Sequence, residues 1–160
     1  MGKTDQKPKR LYFKTYIQLI ENAVGTAMFK NFYVQLADGT DIDAMDNGSD
    51  SCAFFVSSVL VLFKKVAGVH GTVANTLTDM QQSGWHAVAE KDMEPGDVVV
   101  WVPTPDSDGK QHIGFCIGDH MAISTSSKKQ VVAKHDIRFG KEDRPIQQVL
   151  RQDHWDEQTT

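Results

Sequence analysis

The sequence has few cysteines, with Cys52 and Cys116 the only two among 160 residues. They stand far apart, and neither forms a CxxC pair or a Cys/His cluster with zinc-ligand spacing, so we expect no disulfide framework, no metal site and no cofactor. Cys116 lies within the apolar run HIGFCIG. Because free cysteine behaves as a small hydrophobic residue, we predict that Cys116 is a buried strand residue.

The sequence also lacks a hydrophobic run long enough to cross a bilayer. The longest run, 53–63, is short and contains Ser57 and Ser58, whereas a membrane-spanning helix needs about 20 apolar residues. The N-terminus has no apolar segment of the signal-peptide type. These features predict a soluble protein without a transmembrane segment.

Positive charge is scarce as well. Seventeen Lys and Arg residues face 21 Asp and Glu residues, the net charge is −4 and the pI is about 5.8. A nucleic-acid-binding protein normally has a basic face and a high pI, so we expect no nucleic-acid partner. The basic cluster near the start predicts a flexible N-terminal tail over residues 1–10. No linker rich in Gly, Ser or Pro follows it, so residues 11–160 are predicted to form one domain.

Helical patterns dominate the first half of the chain. Apolar residues at helical spacing predict a helix over 11–29, and a second, mostly buried helix begins near Ser51, with Asp50 or Ser51 as its N-cap. A third, shorter helix is predicted over 75–83. The turn-rich polar segment 38–50 is predicted to be a solvated loop, since it lacks the spacing of a calcium-binding loop.

Strand patterns dominate the second half. Short runs rich in apolar and β-branched residues occur in the order GDVVVWV, HIGFCIG, MAISTS and VVAKHDI. The last segment, RPIQQVLRQDHW, fits either a strand or a short helix. The fold class is therefore α+β, with N-terminal helices packed on an antiparallel sheet.

Two residues have the chemistry of a nucleophile and its base. Cys52 stands in the first turn of the predicted buried helix, where free N–H groups and the helix dipole favour a thiolate. The alternative is a small side chain at the edge of the core. His112 opens the strand HIGFCIG and could reach over the sheet edge towards a helix packed on it, the alternative being a loop histidine without a role.

Three motifs together resemble the NlpC/P60 cysteine peptidases of the papain-like fold. They are SDSCAFFVSSVLVLFKKVAGV, then MEPGDVVVWVP, then HIGFCIGDHMAIS. The family has a D-C-S-G-F type helix start, an L-x-P-G-D strand and an H-V-G-I-Y-I-G hairpin in the same order. The resemblance implies that Cys52 is the nucleophile and His112 the general base, and that the pair cleaves an amide through a thioester.

Further site residues are implied by the same resemblance. Ser124 takes the position where the family often has the histidine that orients the base, and His135 on the next strand, with Asp136 behind it, is the better chemical candidate for that role. Tyr33 resembles the tyrosine that supplies an oxyanion donor in many relatives, the alternative being a core tyrosine. Ser51 replaces the Asp that usually precedes the cysteine and is assigned to substrate contact.

The family's usual substrates imply an enzyme that hydrolyses amide bonds in the peptides of bacterial peptidoglycan. Such an enzyme would act in the cell envelope or after secretion. Alternatives are a catalytically inactive binding module, an amidase or acyltransferase on another amide substrate, and a thiol redox protein, although the last lacks an accessible second cysteine. The sequence does not identify an inhibitor or immunity partner.

Overall fold

The computed structural model describes residues 7–156, which contain three α-helices and eight β-strands. The helices are α1 (Tyr12–Asn22), α2 (Cys52–Leu62) and α3 (Val73–Gln82). The strands are β1 (Tyr33–Gln35), β2 (Asp41–Asp43), β3 (His86–Val88), β4 (Val98–Trp101), β5 (His112–Gly118), β6 (Met121–Ser126), β7 (Val131–Asp136) and β8 (Ile146–Arg151).

Six of the strands form one antiparallel sheet in the order β3-β8-β4-β5-β6-β7. The four strands from β4 to β7 are neighbours in chain order, and β8 returns to lie between β3 and β4. The pairing sets Trp101 opposite His112 and Ala122 opposite His135. A separate hairpin pairs β1 with β2. The predicted α+β class, with helices before an antiparallel sheet, is confirmed.

The main core lies between the helices and one face of the sheet. α2 is almost continuously apolar and is buried along most of its length, as its sequence predicts. Phe55 of α2 packs edge-on against Phe115 of β5, with the ring centroids 5.4 Å apart. Tyr16 of α1 enters the same core and donates a hydrogen bond from its hydroxyl to the carbonyl oxygen of Gly96 at 2.9 Å. The first contact packs the first turn of α2 on β5, and the second joins α1 to the turn before β4.

The predicted end of the first helix and the predicted loop over 38–50 were wrong. α1 ends at Asn22 instead of continuing to residue 29, because Gly25 and Thr26 exchange backbone hydrogen bonds with Val132 of β7 at 2.8 and 3.0 Å. Backbone N–H and C=O groups that are bonded within a helix are not available for these bonds to a strand. The segment 38–50 is not entirely loop, since residues 41–43 form β2 and pair with β1.

The two ends of the chain bear on other predictions. The segment before the C-terminus forms β8, which decides between the strand and the helix that its sequence allowed. Residues 1–6 of the predicted tail, and 157–160 of the predicted domain, lie outside the described residues. In the described part of the chain, no helix has the length and apolar character needed to cross a membrane. Cys116 is buried in β5, as predicted.

Candidate active site

Cys52 is the first residue of α2, and a tight turn whose residues have left-handed backbone angles precedes it. Asp46, Asn47 and Gly48 have φ values of 46°, 54° and 95°, a conformation that turns the chain sharply before the helix. Ser51 is 3% exposed and donates its hydroxyl proton to the carbonyl oxygen of Gly48 at 3.1 Å, so its side chain does not cap α2. The first turn of α2 therefore has no side-chain cap beside Cys52.

Cys52 and His112 line the same open cleft, which has a volume of about 790 Å³. The segment between β4 and β5 forms one wall, and the starts of α2 and α3 form the other. An ion pair joins the walls: Nζ of Lys110 lies 2.7 Å from Oδ2 of Asp50. This contact links the loop before the cysteine to the loop before the histidine.

The His112 ring is fixed by a hydrogen bond and by two aromatic neighbours. Its Nε2 atom lies 2.9 Å from the hydroxyl oxygen of Ser124 on β6. The ring centroid is 5.5 Å from that of Trp101 and 5.7 Å from that of Phe139. The indole N–H of Trp101 donates to the carbonyl oxygen of Ile137 at 2.7 Å, which holds the indole in place. The ring thus has one nitrogen engaged by Ser124 and a rigid aromatic support.

His135 lies on the other side of Ser124. Its Nε2 atom is 2.7 Å from the Ser124 hydroxyl oxygen, and its Nδ1 atom is 2.7 Å from the carbonyl oxygen of Asp136. The ring stacks on Phe139 with a centroid distance of 4.0 Å and an interplanar angle of 15°. The two candidates for orienting His112 are therefore joined: Ser124 contacts the His112 ring, and His135 contacts Ser124.

The environment keeps both members of the predicted catalytic pair neutral at rest. Burial raises the pKa of the Cys52 thiol, and hydrogen bonding from the Ile113 and Ala53 backbone N–H groups opposes this shift. Burial, followed by the positive charge of Arg144 and then His135, lowers the pKa of His112 to about 3. Among residues 7–156, no hydrogen bond joins the Cys52 sulfur to the His112 ring. The resting pair is a thiol and a neutral imidazole.

Arg144 is a site residue for which the sequence carried no signal. It precedes β8 and lines the cleft. Its Nε atom donates to the carbonyl oxygen of Val102 at 2.8 Å and a terminal N–H to that of Lys110 at 3.3 Å, while its guanidinium lies over the Phe139 ring. Within the described chain it forms no ion pair with a carboxylate. Its positive charge therefore interacts electrostatically with both Cys52 and His112 in the cleft.

Tyr33 and Ser51 are not among the side chains that line the cleft. Tyr33 lies on β1, and 69% of its surface is exposed, so the alternative prediction of a core tyrosine is wrong. The structure offers no contact that supports Tyr33 as an oxyanion donor. The hydroxyl of Ser51 is engaged by Gly48, which leaves its predicted substrate contact without geometric support as well.

His70, which follows α2, contacts a carboxylate that also binds the backbone of the neighbouring loop. Asp79 of α3 accepts hydrogen bonds from the backbone N–H groups of Ala67 and Gly68 and lies 2.6 Å from Nε2 of His70. The carboxylate thereby fixes the backbone of the loop that follows α2. Over residues 7–156, no group of three or more His, Cys, Asp and Glu side chains is arranged to hold a metal ion.

Comparison with known proteins relates the fold to solved structures. No family model and no curated protein matches the chain. The chain is similar to the structure of NlpC2 from Trichomonas vaginalis, with a TM-score of 0.53, 18% identity and coverage of 93% of this chain and 49% of that one. It is also similar to NlpC1 from the same organism, with a TM-score of 0.54, 16% identity and coverage of 95% and 49%. The chain thus spans about half the length of these structures and has an NlpC/P60-like fold, as its motifs predict.

Proposed function

We propose that this NlpC/P60-like chain is a cysteine hydrolase that cleaves amide bonds with Cys52 as nucleophile and His112 as general base. One observation carries the proposal: the cysteine at the start of a buried helix and the histidine at the start of β5 line one open cleft. The engagement of the Nε2 atom of His112 by Ser124 supports it, because a catalytic base must be held in one orientation.

The reaction begins with neutral partners. His112 takes the proton of the Cys52 thiol as the sulfur attacks the amide carbonyl carbon, forming a C–S bond and a tetrahedral oxyanion. The N–H groups of the first turn of α2, which no side chain caps, are suited to stabilise that oxyanion. The guanidinium of Arg144 favours the thiolate that develops during this step, since its charge reaches Cys52.

The acyl group then passes to water. Collapse of the tetrahedral intermediate breaks the C–N bond, and the His112 imidazolium gives its proton to the departing amine. His112 next takes a proton from water as the oxygen attacks the thioester, and it returns that proton to the sulfur as the C–S bond breaks. The products are a carboxylic acid and an amine, and the enzyme is regenerated.

The proposed substrate is a peptide of peptidoglycan or a similar amide. This assignment rests on the motif resemblance, since the structural neighbours support the fold alone. The cleft is open and holds both carboxylates and cations at its rim, including the Asp50–Lys110 pair, which suits a polar peptide more than a lipid-like ligand.

The experiment that tests the proposal is incubation with purified peptidoglycan fragments, with the products identified by mass spectrometry. We expect one amide bond to be hydrolysed by the native protein and no product with Cys52→Ser. A matched control is Cys116→Ser, which removes the other cysteine, buried away from the cleft, and should leave the products unchanged. Equal product formation by both variants would contradict the proposal.

A catalytically inactive relative is the second candidate. The raised pKa of Cys52 and the absence of a hydrogen bond from its sulfur to His112 within residues 7–156 favour it. Labelling with a thiol-selective reagent distinguishes the two. In an enzyme, labelling of Cys52 is rapid and slows in His112→Ala, whereas in an inactive relative the His112 substitution leaves the rate unchanged.

A further inference from the structure

A second pocket, with a volume of about 390 Å³, lies between α3 and the part of the sheet that β3 and β8 form. Its apolar surface comes from Leu77 on α3, Trp85 before β3, Ala87 on β3 and Leu150 on β8. The indole N–H of Trp85 donates to the carbonyl oxygen of Lys65 at 2.8 Å, which fixes the indole in the pocket lining. We call this cavity the side pocket. The proposed reaction gives it no role.

The side pocket and the cleft share α3 as a wall. Ala74 lines the cleft, and Leu77, Thr78 and Gln81, which follow it on the helix, line the side pocket. Residues three and four apart lie on one face of a helix, so these side chains form one stripe. Ala74, Thr78 and Gln81 are exposed, which leaves the stripe accessible to a ligand. It makes one continuous wall for the two pockets.

β8 provides a second shared wall. Gln147 lines the cleft, and Gln148 lines the side pocket. Consecutive side chains of a regular strand point to opposite faces of the sheet, but the β4–β8 pairing is irregular here. Val100 pairs with Gln148 and Trp101 with Ile146, which leaves Gln147 as an extra residue. Such bulges re-aim side chains and are common next to active sites. The bulge accounts for neighbouring residues of one strand lining both pockets.

The side pocket differs from the cleft in charge. The side chains of Asp50, Lys110 and Arg144 are among those that line the cleft, whereas none of the described residues that line the side pocket is charged. Gln81 on α3 and Gln148 on β8 bring one amide from each wall, and in the described chain neither amide hydrogen-bonds to another residue. A side-chain amide both donates and accepts, as a peptide group does. The two walls therefore suit a peptide group between them.

The remaining surface of the side pocket suits small aliphatic side chains. Leu77, Ala87 and Leu150 present alkyl groups to it. A charged group would lose hydration there and find no charged partner, which is unfavourable. Trp85 is 5% exposed, so its ring offers little surface on which a sugar could stack. The lining therefore favours an uncharged peptide segment over a charged peptide or a carbohydrate.

We propose that the side pocket binds an uncharged segment of a peptide substrate whose scissile amide lies at Cys52. The inference rests on the proposed function, because it concerns the substrate of that reaction. From Ala74 to Gln81, α3 rises by about 10 Å. An extended peptide covers about 3.3 Å per residue, so a segment of about three residues reaches from the cleft into the side pocket. The site thus prefers peptides long enough to occupy both pockets.

Binding is tested with the Cys52→Ser protein, which lacks the proposed nucleophile. Two acetylated and amidated peptides of alternating alanine and serine, one of two residues and one of six, are titrated into ¹⁵N-labelled protein. We expect the longer peptide to shift the side-chain amide signals of Gln81 and Gln148 together with the backbone signal of Ala53, which lines the cleft. The shorter peptide should bind about tenfold more weakly or worse, because it buries fewer apolar groups.

A substitution that fills the side pocket tests the location. Thr78→Trp places a large side chain there from an exposed position of α3. It should weaken binding of the six-residue peptide by about tenfold, the equivalent of two methyl groups that are no longer buried. Gln82→Trp is the matched control and should not change binding, since Gln82 is exposed on α3 and lines neither pocket. If Thr78→Trp does not fold, Gln81→Trp blocks the same pocket from the next turn.

Equal binding of the six-residue peptide by the Thr78→Trp and Gln82→Trp variants, or no shift of the Gln81 and Gln148 signals, overturns the inference. So does a shift of these signals by a trimer of N-acetylglucosamine and not by the peptide, which would assign the pocket to a carbohydrate. With Cys52 present, Thr78→Trp should lower kcat/KM for peptidoglycan fragments by about tenfold. Because binding is measured without Cys52, a failure to hydrolyse amides contradicts the proposed function and leaves the binding result standing.

Discussion

Gly114 and Ser124 face each other across β5 and β6 so closely that a Cβ atom on Gly114 would lie 2.7 Å from Cβ of Ser124. The same atom would lie 2.8 Å from the carbonyl oxygen of Ile123 and 3.1 Å from the Trp101 ring. Real Cβ atoms essentially never lie within 3.0 Å of such atoms, so the glycine of the HIGF motif leaves the space in which Ser124 reaches His112.

Gly114→Ala should therefore disturb both stability and the site. Overpacking of a core costs about 1–3 kcal/mol, and displacement of Ser124 should slow the alkylation of Cys52. Urea unfolding and thiol labelling measure the two effects. Gly68→Ala is the matched control, because a Cβ atom on Gly68 would meet nothing within 4 Å. Indistinguishable behaviour of the two variants would show that Ser124 is not constrained as described.

Arg144 should lower the pKa of His112 below the value that burial alone would give. Burial and the Arg144 charge together lower the His112 pKa to about 3, so the ring should stay neutral from pH 7 down to pH 5. A histidine with its ordinary pKa would lose about 25-fold of its neutral form over that range. Arg144→Met should raise the His112 pKa, as followed by NMR titration. Arg138→Met, which removes an arginine paired with Asp143, should leave it unchanged; an equal shift in both variants would contradict a local effect of Arg144.

Because of Asp79, the free energy of unfolding should fall at acid pH. Its folded-state pKa is about 2 against an ordinary 3.8, despite burial, because backbone N–H groups of Ala67 and Gly68 and the side chains of His70 and Ser83 bind the carboxylate. A depressed pKa stabilises the fold above pH 3.8, and this contribution is lost as the pH falls towards 2. The shift corresponds to about 2 kcal/mol at neutral pH.

Asp79→Asn should remove most of that contribution at pH 7 and flatten the decline in the free energy of unfolding between pH 4 and 2. Urea unfolding at several pH values measures it. Asp153→Asn is the control, since Asp153 also pairs with a histidine, His86, but at the exposed surface. A native protein whose stability falls in parallel with that of Asp79→Asn over this range would contradict the prediction.

Tyr33 should be dispensable for chemistry. Its side chain is 69% exposed on β1 and does not line the cleft. We expect Tyr33→Phe to leave the alkylation of Cys52 and any amide hydrolysis unchanged, measured beside Cys52→Ser as the inactive reference. A marked loss of hydrolysis in Tyr33→Phe would restore the oxyanion role that the motif resemblance implied.

The sequence predicted those features that depend on neighbours along the chain. The apolar run after Ser51 has helical spacing, which predicts a mostly buried helix, and it forms α2 with Cys52 at its start. The alternation and composition of HIGFCIG and MAISTS predict β5 and β6 with the same bounds that the structure has. The strands of the short β1–β2 hairpin were missed because three-residue strands with exposed side chains carry little periodic signal.

Only the tertiary structure decided which side chains meet. Ser124 and His135 were alternatives in the sequence, but the register of β6 with β7 places them in hydrogen-bond contact. Contacts between strands depend on how the strands align and not on local composition. Arg144 reaches the cleft because β8 returns between β3 and β4, a topology that its own residues do not encode. The sequence by itself determined that a cysteine would begin a buried helix and a histidine would begin a strand. The three-dimensional packing decided what surrounds them, because charge, burial and hydrogen bonding depend on residues distant in the chain.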